Sequence, residues 1–193
     1  STKNHSELVS LKTRFDDLIN YNTNDYQLFY HYSRILKLLS DKTGELNYLN
    51  RSLKISSNSP RIKNAIAKHH FYNGDYEKAV IIFEELIGIG YDDINLSCGK
   101  FSFSLVKLYF LCLLYLSKYD EILLKTENWK DKGNLSNLYA IYRATTFKRQ
   151  SENNKLPTEE REKLIISSLS IFDFIFNGKE YPIIACLEVK KIL

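Results

Sequence analysis

The length of 193 residues suits one folded domain, and a composition of 44% hydrophobic and 26% charged residues argues against intrinsic disorder. The formal net charge of +4 is too small to identify a nucleic-acid-binding protein. Only three prolines and seven glycines interrupt the chain, so it can be helical over most of its length. Because the chain contains no methionine, we expect it to be processed or cut from a longer protein.

The hydrophobic pattern predicts amphipathic helices, in which apolar residues recur at steps of three and four and polar clusters form the turns. Asp25 is placed to cap one helix, and Pro60 to open another at its first position. Gly88 and Gly90 end a helix, because glycine accepts positive φ. No segment shows a convincing strand pattern. The predicted helices cover residues 6–20, 26–40, 45–56, 60–72, 76–88, 101–116, 119–128, 135–150, 158–177 and 182–193.

The cysteines and the apolar segments bear on the compartment. Cys98, Cys112 and Cys186 are far apart and follow no metal-ligand spacing, so we expect free thiols in a reducing, cytoplasmic environment. The first ten residues are polar and do not resemble a secretory signal. The apolar stretch 101–116 is interrupted by Lys107 and is shorter than the about 20 residues that span a bilayer. We therefore expect no membrane-spanning segment.

A spacing of 34 residues relates apolar positions in two successive helix pairs. The related positions are Leu49 and Phe83, Leu53 and Ile87, and Tyr32 and Ile66. A fixed period with two helices per repeat is typical of a solenoid, whose repeats bury their apolar faces by stacking on neighbours. The sequence therefore predicts a single domain over residues 1–193, with regular repeats at 26–59 and 60–93 and degenerate helix pairs over 94–193.

Within residues 60–93, small residues, an aromatic residue and a Gly-Asp-Tyr turn occupy set positions of a helix pair. These residues are Ala67, Gly74, Asp75, Tyr76, Ala79 and Phe83. The pattern resembles a tetratricopeptide repeat. Residues 26–59 match it less well, because Glu45 stands where the family places alanine. The resemblance implies an all-α fold, a right-handed α-solenoid of antiparallel helix pairs with about nine to ten helices.

The residue types that carry catalysis form no recognisable constellation. His69 and His70 would point about 100° apart on a helix, so they cannot face one metal ion together. Adjacent carboxylates such as Asp16 and Asp17 diverge in the same way, and a solvated surface explains them. The sequence has neither a phosphate-binding glycine loop nor a nucleophile motif. We therefore expect no enzyme, no metal site and no cofactor.

The family resemblance also implies a binding face. In tetratricopeptide repeats, ligands lie along the first helix of each pair. At the corresponding positions this sequence has cations and aromatic residues and no carboxylate. The predicted groove residues are Tyr30, Arg34, Lys37, Arg61, Asn64, Lys68, Phe71, Tyr72 and, from a degenerate third repeat, Lys107.

Such a face suits a protein or peptide partner with acidic residues and apolar anchors. We therefore expect a non-catalytic protein-interaction scaffold. The alternative is a helical repeat that binds RNA or single-stranded nucleic acid, because Arg and Lys follow phosphates while Tyr and Phe stack on bases. A third interpretation is an ordinary amphipathic face, with the groove empty or filled by the protein's own tail. The carboxylate-clamp variety of the family is not expected, because Tyr30 and Arg34 replace the Lys and Asn that it needs.

Overall fold

The computed structural model describes residues 2–21, 24–91, 104–131 and 136–177, and every regular element in these ranges is helical. The all-α prediction is thus confirmed for the described residues, while the predicted helix at 182–193 lies outside them. The chain divides into two compact units, Ser1–Lys100 and Phe101–Leu193. The α-helices are α1 (Thr2–Tyr21), α2 (Tyr26–Leu38), α3 (Lys42–Ile55), α4 (Pro60–Tyr72), α5 (Tyr76–Gly88), α6 (Ser104–Tyr115), α7 (Tyr119–Lys125), α8 (Ser136–Ser151) and α9 (Thr158–Asn177), with a 3₁₀ turn at Trp129–Asp131.

Capping decides where the helices of the first unit begin. The Asp25 carboxylate accepts hydrogen bonds from two backbone N–H groups in the first turn of α2, at 2.8 and 3.2 Å, which confirms it as the N-cap. The Asp41 carboxylate accepts from the Gly44 N–H at 2.8 Å, so α3 begins at Lys42, three residues earlier than predicted. Pro60 opens α4 as predicted, at a position whose N–H has no intrahelical partner.

Consecutive helices of the first unit pack against each other: α1 on α2, α2 on α3, α3 on α4, and α4 on α5. The connections are short, so neighbouring helices run antiparallel. Between α4 and α5, Gly74 has a φ of +83°, a conformation that residues with a Cβ rarely adopt. This packing of helix pairs is consistent with a helical repeat.

Positions related by the 34-residue spacing are buried alike. Leu49 and Phe83 both lie in the core of the first unit, and so do Tyr32 and Ile66. Ala79 of α5 is fully buried, where the lack of a longer side chain lets the neighbouring helix approach closely. The spacing read from the sequence therefore corresponds to equivalent packing positions in two successive helix pairs.

A polar network joins α1 to α2. The Tyr32 hydroxyl donates a hydrogen bond to the Asp16 carboxylate, which also accepts one from Lys12 Nζ at 2.8 Å. Burial, together with the hydrogen bond to Asp16, raises the pKa of Tyr32 to about 12. Burial opposes ionisation of Asp16, but the hydrogen bonds from Lys12 and Tyr32 outweigh it and hold the pKa of Asp16 below its usual value. The network therefore favours one arrangement of the two helices.

The second unit has an aromatic centre between α6 and α8. The Phe110 ring stacks on Tyr142 with ring centres 5.0 Å apart, and it meets Tyr139 edge-on at 5.1 Å. Cys112 lies on α6, as Phe110 does, and is fully buried. Burial raises the pKa of its thiol to about 12. This thiol therefore stays protonated and packs as a small apolar side chain.

Hydrogen bonds to backbone carbonyls connect the later helices of this unit. The buried Ser168 hydroxyl of α9 donates to the Ala144 carbonyl of α8 at 2.9 Å. The Arg143 guanidinium donates to the Leu123 carbonyl of α7 at 2.7 Å. Across both units, no helix among the described residues combines the length and the apolar character that crossing a membrane requires. Cys98 and Cys186 lie outside the described residues.

Candidate functional site

The charges of the first unit are segregated by helix. Neither α2 nor α4 contains Asp or Glu, whereas α5 contains Glu77, Glu84 and Glu85. The cationic residues of α2 and α4 are Arg34, Lys37, Arg61, Lys63 and Lys68. Two of the five form ion pairs with carboxylates of other helices, Lys63 with Glu85 of α5 and Lys37 with Glu45 of α3. The first helices of the two pairs therefore share one sign of charge.

Two cation–π contacts join α2 to α4. The guanidinium carbon of Arg61 lies 4.8 Å from the centre of the Tyr30 ring. Nζ of Lys37 lies 5.0 Å from the centre of the Tyr72 ring. Both distances are within the range of about 6 Å over which the face of an aromatic ring attracts a cation. The structure therefore brings four of the predicted groove residues together, as two pairs that cross from one helix to the other.

We call the outward face of these two helices the α2–α4 surface. It has one row of residues on each helix, at spacings of four, three and four that keep them on one helix face. Each residue of the second row follows its counterpart in the first by 34 positions. The rows are Gln27, His31, Arg34 and Leu38 on α2, and Arg61, Ala65, Lys68 and Tyr72 on α4.

The other predicted groove residues of α4 differ in exposure. Lys68 and Phe71 are half-buried, and the Phe71 ring packs edge-on against Tyr72 with centres 5.3 Å apart. Phe71 thus supports the surface from the side. Asn64 is only 5% exposed, because it shares a helix face with the fully buried Ala67. The structure therefore places Asn64 beneath the surface and not on it.

The pKa of His31 reports the positive field of the α2–α4 surface. Partial desolvation, followed by the charges of Arg61 and Arg34, lowers the pKa of His31. Both arginines are exposed, and within the described part of the chain neither forms an ion pair. The Asp25 carboxylate opposes this lowering of the His31 pKa, but it forms no ion pair with either arginine, and two unpaired guanidinium groups favour the binding of an anion.

One carboxylate reaches the edge of this surface from α3. Oε2 of Glu45 lies 2.9 Å from Nδ1 of His69, and Oε1 lies 3.8 Å from Nζ of Lys37. The Asn73 amide nitrogen lies 3.1 Å from the other ring nitrogen of His69. Glu45 and His69 are both buried. In the sequence, only one feature points to this network: Glu45 stands at the position where the tetratricopeptide pattern has alanine.

Lys107 belongs to the second unit. It lies on α6 and is half-buried. Its backbone carbonyl accepts a hydrogen bond from the Tyr142 hydroxyl of α8 at 3.1 Å. This residue therefore takes part in the contact between α6 and α8, and its place in the binding groove stays a prediction.

The two adjacent histidines of α4 each contact a carboxylate. His69 meets Glu45, and Nδ1 of His70 lies 3.2 Å from Oδ2 of Asp75. The hydrogen bond with His70, aided by the charge of Lys78, holds the pKa of Asp75 below its usual value. Among the described residues, no three His, Cys, Asp or Glu side chains lie together as a metal site requires. These histidines therefore join helix ends to their neighbours.

Over the described residues, the fold is one of paired helices, and the first unit carries a cationic and aromatic face. Comparison of the chain with protein-family models, with curated proteins and with solved structures found no match. What the chain does has to be inferred from the contacts and charges described above.

Proposed function

We propose that this chain is a non-catalytic interaction module of the tetratricopeptide-repeat type, a right-handed α-solenoid, that binds an acidic segment of a partner protein on the α2–α4 surface. The observation that carries the proposal is the segregation of charge, because α2 and α4 hold five cations and no carboxylate. A surface of one sign attracts ligands of the opposite sign and raises the rate at which they are encountered.

The two arginines suit carboxylates in particular. A guanidinium group presents paired N–H donors that match the two oxygens of a carboxylate. Arg34 is exposed, and Arg61 rests on the Tyr30 ring, which restricts its motion before a ligand arrives. A side chain that is already ordered loses less entropy on binding. The pair can therefore hold an acidic side chain at a low entropic cost.

Single-stranded nucleic acid is the second candidate, because Tyr30 and Tyr72 are aromatic rings among cations. Stacking of a base requires an open ring face. In the structure Arg61 lies over one face of Tyr30, and Lys37 lies over one face of Tyr72. These cations compete with bases for the same ring faces, and an acidic peptide is therefore the preferred ligand.

The absence of catalysis and the cytoplasmic location belong to the same proposal. Glu45 and His69 are an acid–base pair at the edge of the α2–α4 surface, and they are buried and in contact with each other. A buried pair of this kind is poorly placed to reach a substrate on the surface. Cys112 is a free, buried thiol, which supports a reducing compartment.

The proposal is tested with a labelled synthetic peptide of alternating Glu and Ser, whose binding is measured by fluorescence anisotropy at low ionic strength. The double variant Arg34→Ala/Arg61→Ala should bind this peptide about tenfold more weakly, a loss of about 1.4 kcal/mol. Thermal stability should stay near that of the wild type, because both side chains are exposed. In the wild type, bound carboxylates should also raise the pKa of His31, which NMR titration measures.

The matched control is Lys42→Ala/Lys54→Ala, which removes the same charge from exposed positions of α3. This control should bind the acidic peptide within about twofold of the wild type. Equal losses in the two double variants would show that net charge alone matters and would contradict the proposal. Tighter binding of single-stranded oligouridylate, falling steeply as salt is added, would favour the nucleic-acid alternative.

A further inference from the structure

Two exposed apolar side chains lie at the same end of the α2–α4 surface. Leu38 and Tyr72 are the last residues of α2 and α4 and occupy equivalent positions, 34 residues apart. Leu38 is 66% exposed and Tyr72 is 63% exposed. Lys37 adjoins Leu38 in the chain, and its Nζ lies 5.0 Å from the centre of the Tyr72 ring. The C-terminal ends of the two helices therefore lie side by side.

Cations lie on both helices further from these C-terminal ends. Arg34 precedes Leu38 by four residues, and Lys68 precedes Tyr72 by four, which is about one helical turn. Arg61 lies seven residues further back on α4, near the N-terminus of that helix. The helix dipoles add positive potential at these N-terminal ends. The surface is therefore divided into a cationic part and an apolar end.

We propose that Leu38 and Tyr72 form a subsite for an apolar side chain, and that the ligand of the α2–α4 surface is an extended acidic peptide with this side chain two residues from one of its carboxylates. The inference rests on the proposed function, because it names the class of peptide that the same surface takes. Nothing in it requires a change in the fold.

The spacing follows from helix and strand geometry. Four residues along an α-helix span about 6 Å. In an extended peptide, side chains two residues apart point the same way and are separated by about 6.6 Å. A carboxylate that meets Arg34 or Lys68 therefore has its second neighbour above Leu38 and Tyr72. A residue next to the carboxylate would point away from the surface.

Charge decides which occupant the apolar end accepts. Any ligand that covers Leu38 and Tyr72 also lies against the cations of the α2–α4 surface, so an acidic peptide fits and a basic one is repelled. A second copy of the chain is the competing occupant. Its α5 would present Glu77 and Glu84 beside the exposed Ile81. The experiment therefore includes a measurement of self-association.

The test uses three labelled peptides of equal length, all with alternating Glu and Ser at their start. The first carries Leu two residues after its last Glu, the second carries Ser there, and the third carries Leu directly after that Glu. The first peptide should bind the wild-type chain about tenfold more tightly than the other two, because only its Leu displaces water from the subsite. Added salt should weaken all three peptides but preserve the preference for the first.

The variant Leu38→Ser/Tyr72→Ser should bind the first two peptides with equal affinity. The matched control Ile81→Ser/Ile89→Ser removes two similarly exposed apolar side chains elsewhere and should keep the tenfold preference. Retention of the preference in the Leu38→Ser/Tyr72→Ser variant would overturn the subsite. A dimer in sedimentation experiments that disappears in the Ile81→Ser/Ile89→Ser variant would assign the surface to a second copy and would also overturn it.

Failure of the subsite and failure of the proposed function give different results. If the three peptides bind the wild type equally well, and all of them depend on Arg34 and Arg61, the subsite is wrong and the acidic-peptide function stands. If none of the peptides binds, both proposals are wrong.

Discussion

The two compact units bury polar groups in different ways. In the first unit, buried polar side chains pair across helices, as Glu45 of α3 does with His69 of α4 and Tyr32 of α2 with Asp16 of α1. In the second unit, the buried Thr145 hydroxyl bonds within its own helix, with the carbonyl four residues earlier at 2.8 Å, while those of Ser168 and Tyr142 reach backbone carbonyls of other helices. A pair that crosses helices specifies which helices meet and in what register, whereas a bond within one helix leaves that choice to apolar packing.

The difference matters because the candidate binding surface lies in the first unit. The contact between Glu45 and His69 lies at the edge of that surface. Nζ of Lys37 lies near both the Glu45 carboxylate and the Tyr72 ring. The positions of surface groups thus depend on polar contacts beneath them. In the second unit, the aromatic stack around Phe110 is tied to α6 by the hydrogen bond from the Tyr142 hydroxyl to the Lys107 backbone carbonyl.

The largest effect is expected for the apolar centre of the second unit. Phe110→Ala should lower the free energy of unfolding by about 3–5 kcal/mol, because it leaves a cavity against Tyr139 and Tyr142. Urea unfolding followed by the fluorescence of the single tryptophan, Trp129 of the second unit, measures the change. Leu124→Ala, at a position 71% exposed, is the control and should stay within about 0.5 kcal/mol of the wild type. Similar losses in both variants would refute an apolar basis for this unit's stability.

A smaller effect is expected for the buried pair of the first unit. Glu45→Ala should cost about 1–3 kcal/mol, because it leaves His69 buried without this hydrogen-bond partner. The double variant Glu45→Ala/His69→Leu removes both polar groups and should return to within about 1 kcal/mol of the wild type. Urea unfolding followed by circular dichroism compares the two. A double variant that is less stable than Glu45→Ala would show that the polar pairing is not what distinguishes this unit.

The smallest effect concerns a helix start. Asp25→Ala should lower the free energy of unfolding by about 1 kcal/mol, because two backbone N–H groups of α2 lose their acceptor. Ser59→Ala is the matched control, since Ser59 occupies the N-cap of α4 but its side chain makes no capping hydrogen bond. The control should change stability by only a few tenths of a kcal/mol. Equal effects at both positions would mean that capping contributes little to the first unit.

Much of the local structure could be predicted because it depends on residues close together in the sequence. Asp25 caps the helix that begins at the next residue, and Pro60 opens one at its own position. The 34-residue spacing could also be read, since Leu49 and Phe83 are both apolar and both buried. The right-handed solenoid and the family resemblance stay predictions.

Only part of the candidate site could be predicted from the sequence. The pairing of Arg61 with Tyr30 follows from placing α2 and α4 side by side. Glu45 and His69 are 24 residues apart, and no local pattern connects a carboxylate with an imidazole at that distance. The prediction for Asn64 does not hold as a surface contact, because small changes in how far a helix is rotated decide between a groove and a core position.

In half of the α2–α4 surface, equivalent positions of the two helices carry residues of the same character. A bound peptide therefore has two alternative positions, shifted by one helix. A peptide that shifts sideways by one helix exchanges the cation Arg34 for the cation Lys68, while its apolar side chain stays beside the subsite formed by Leu38 and Tyr72. At the other end it exchanges Gln27 for Arg61, an amide for a cation. The shift therefore changes little for the apolar side chain of the ligand. The contact with Arg61 is made in only one of the two positions and favours that position.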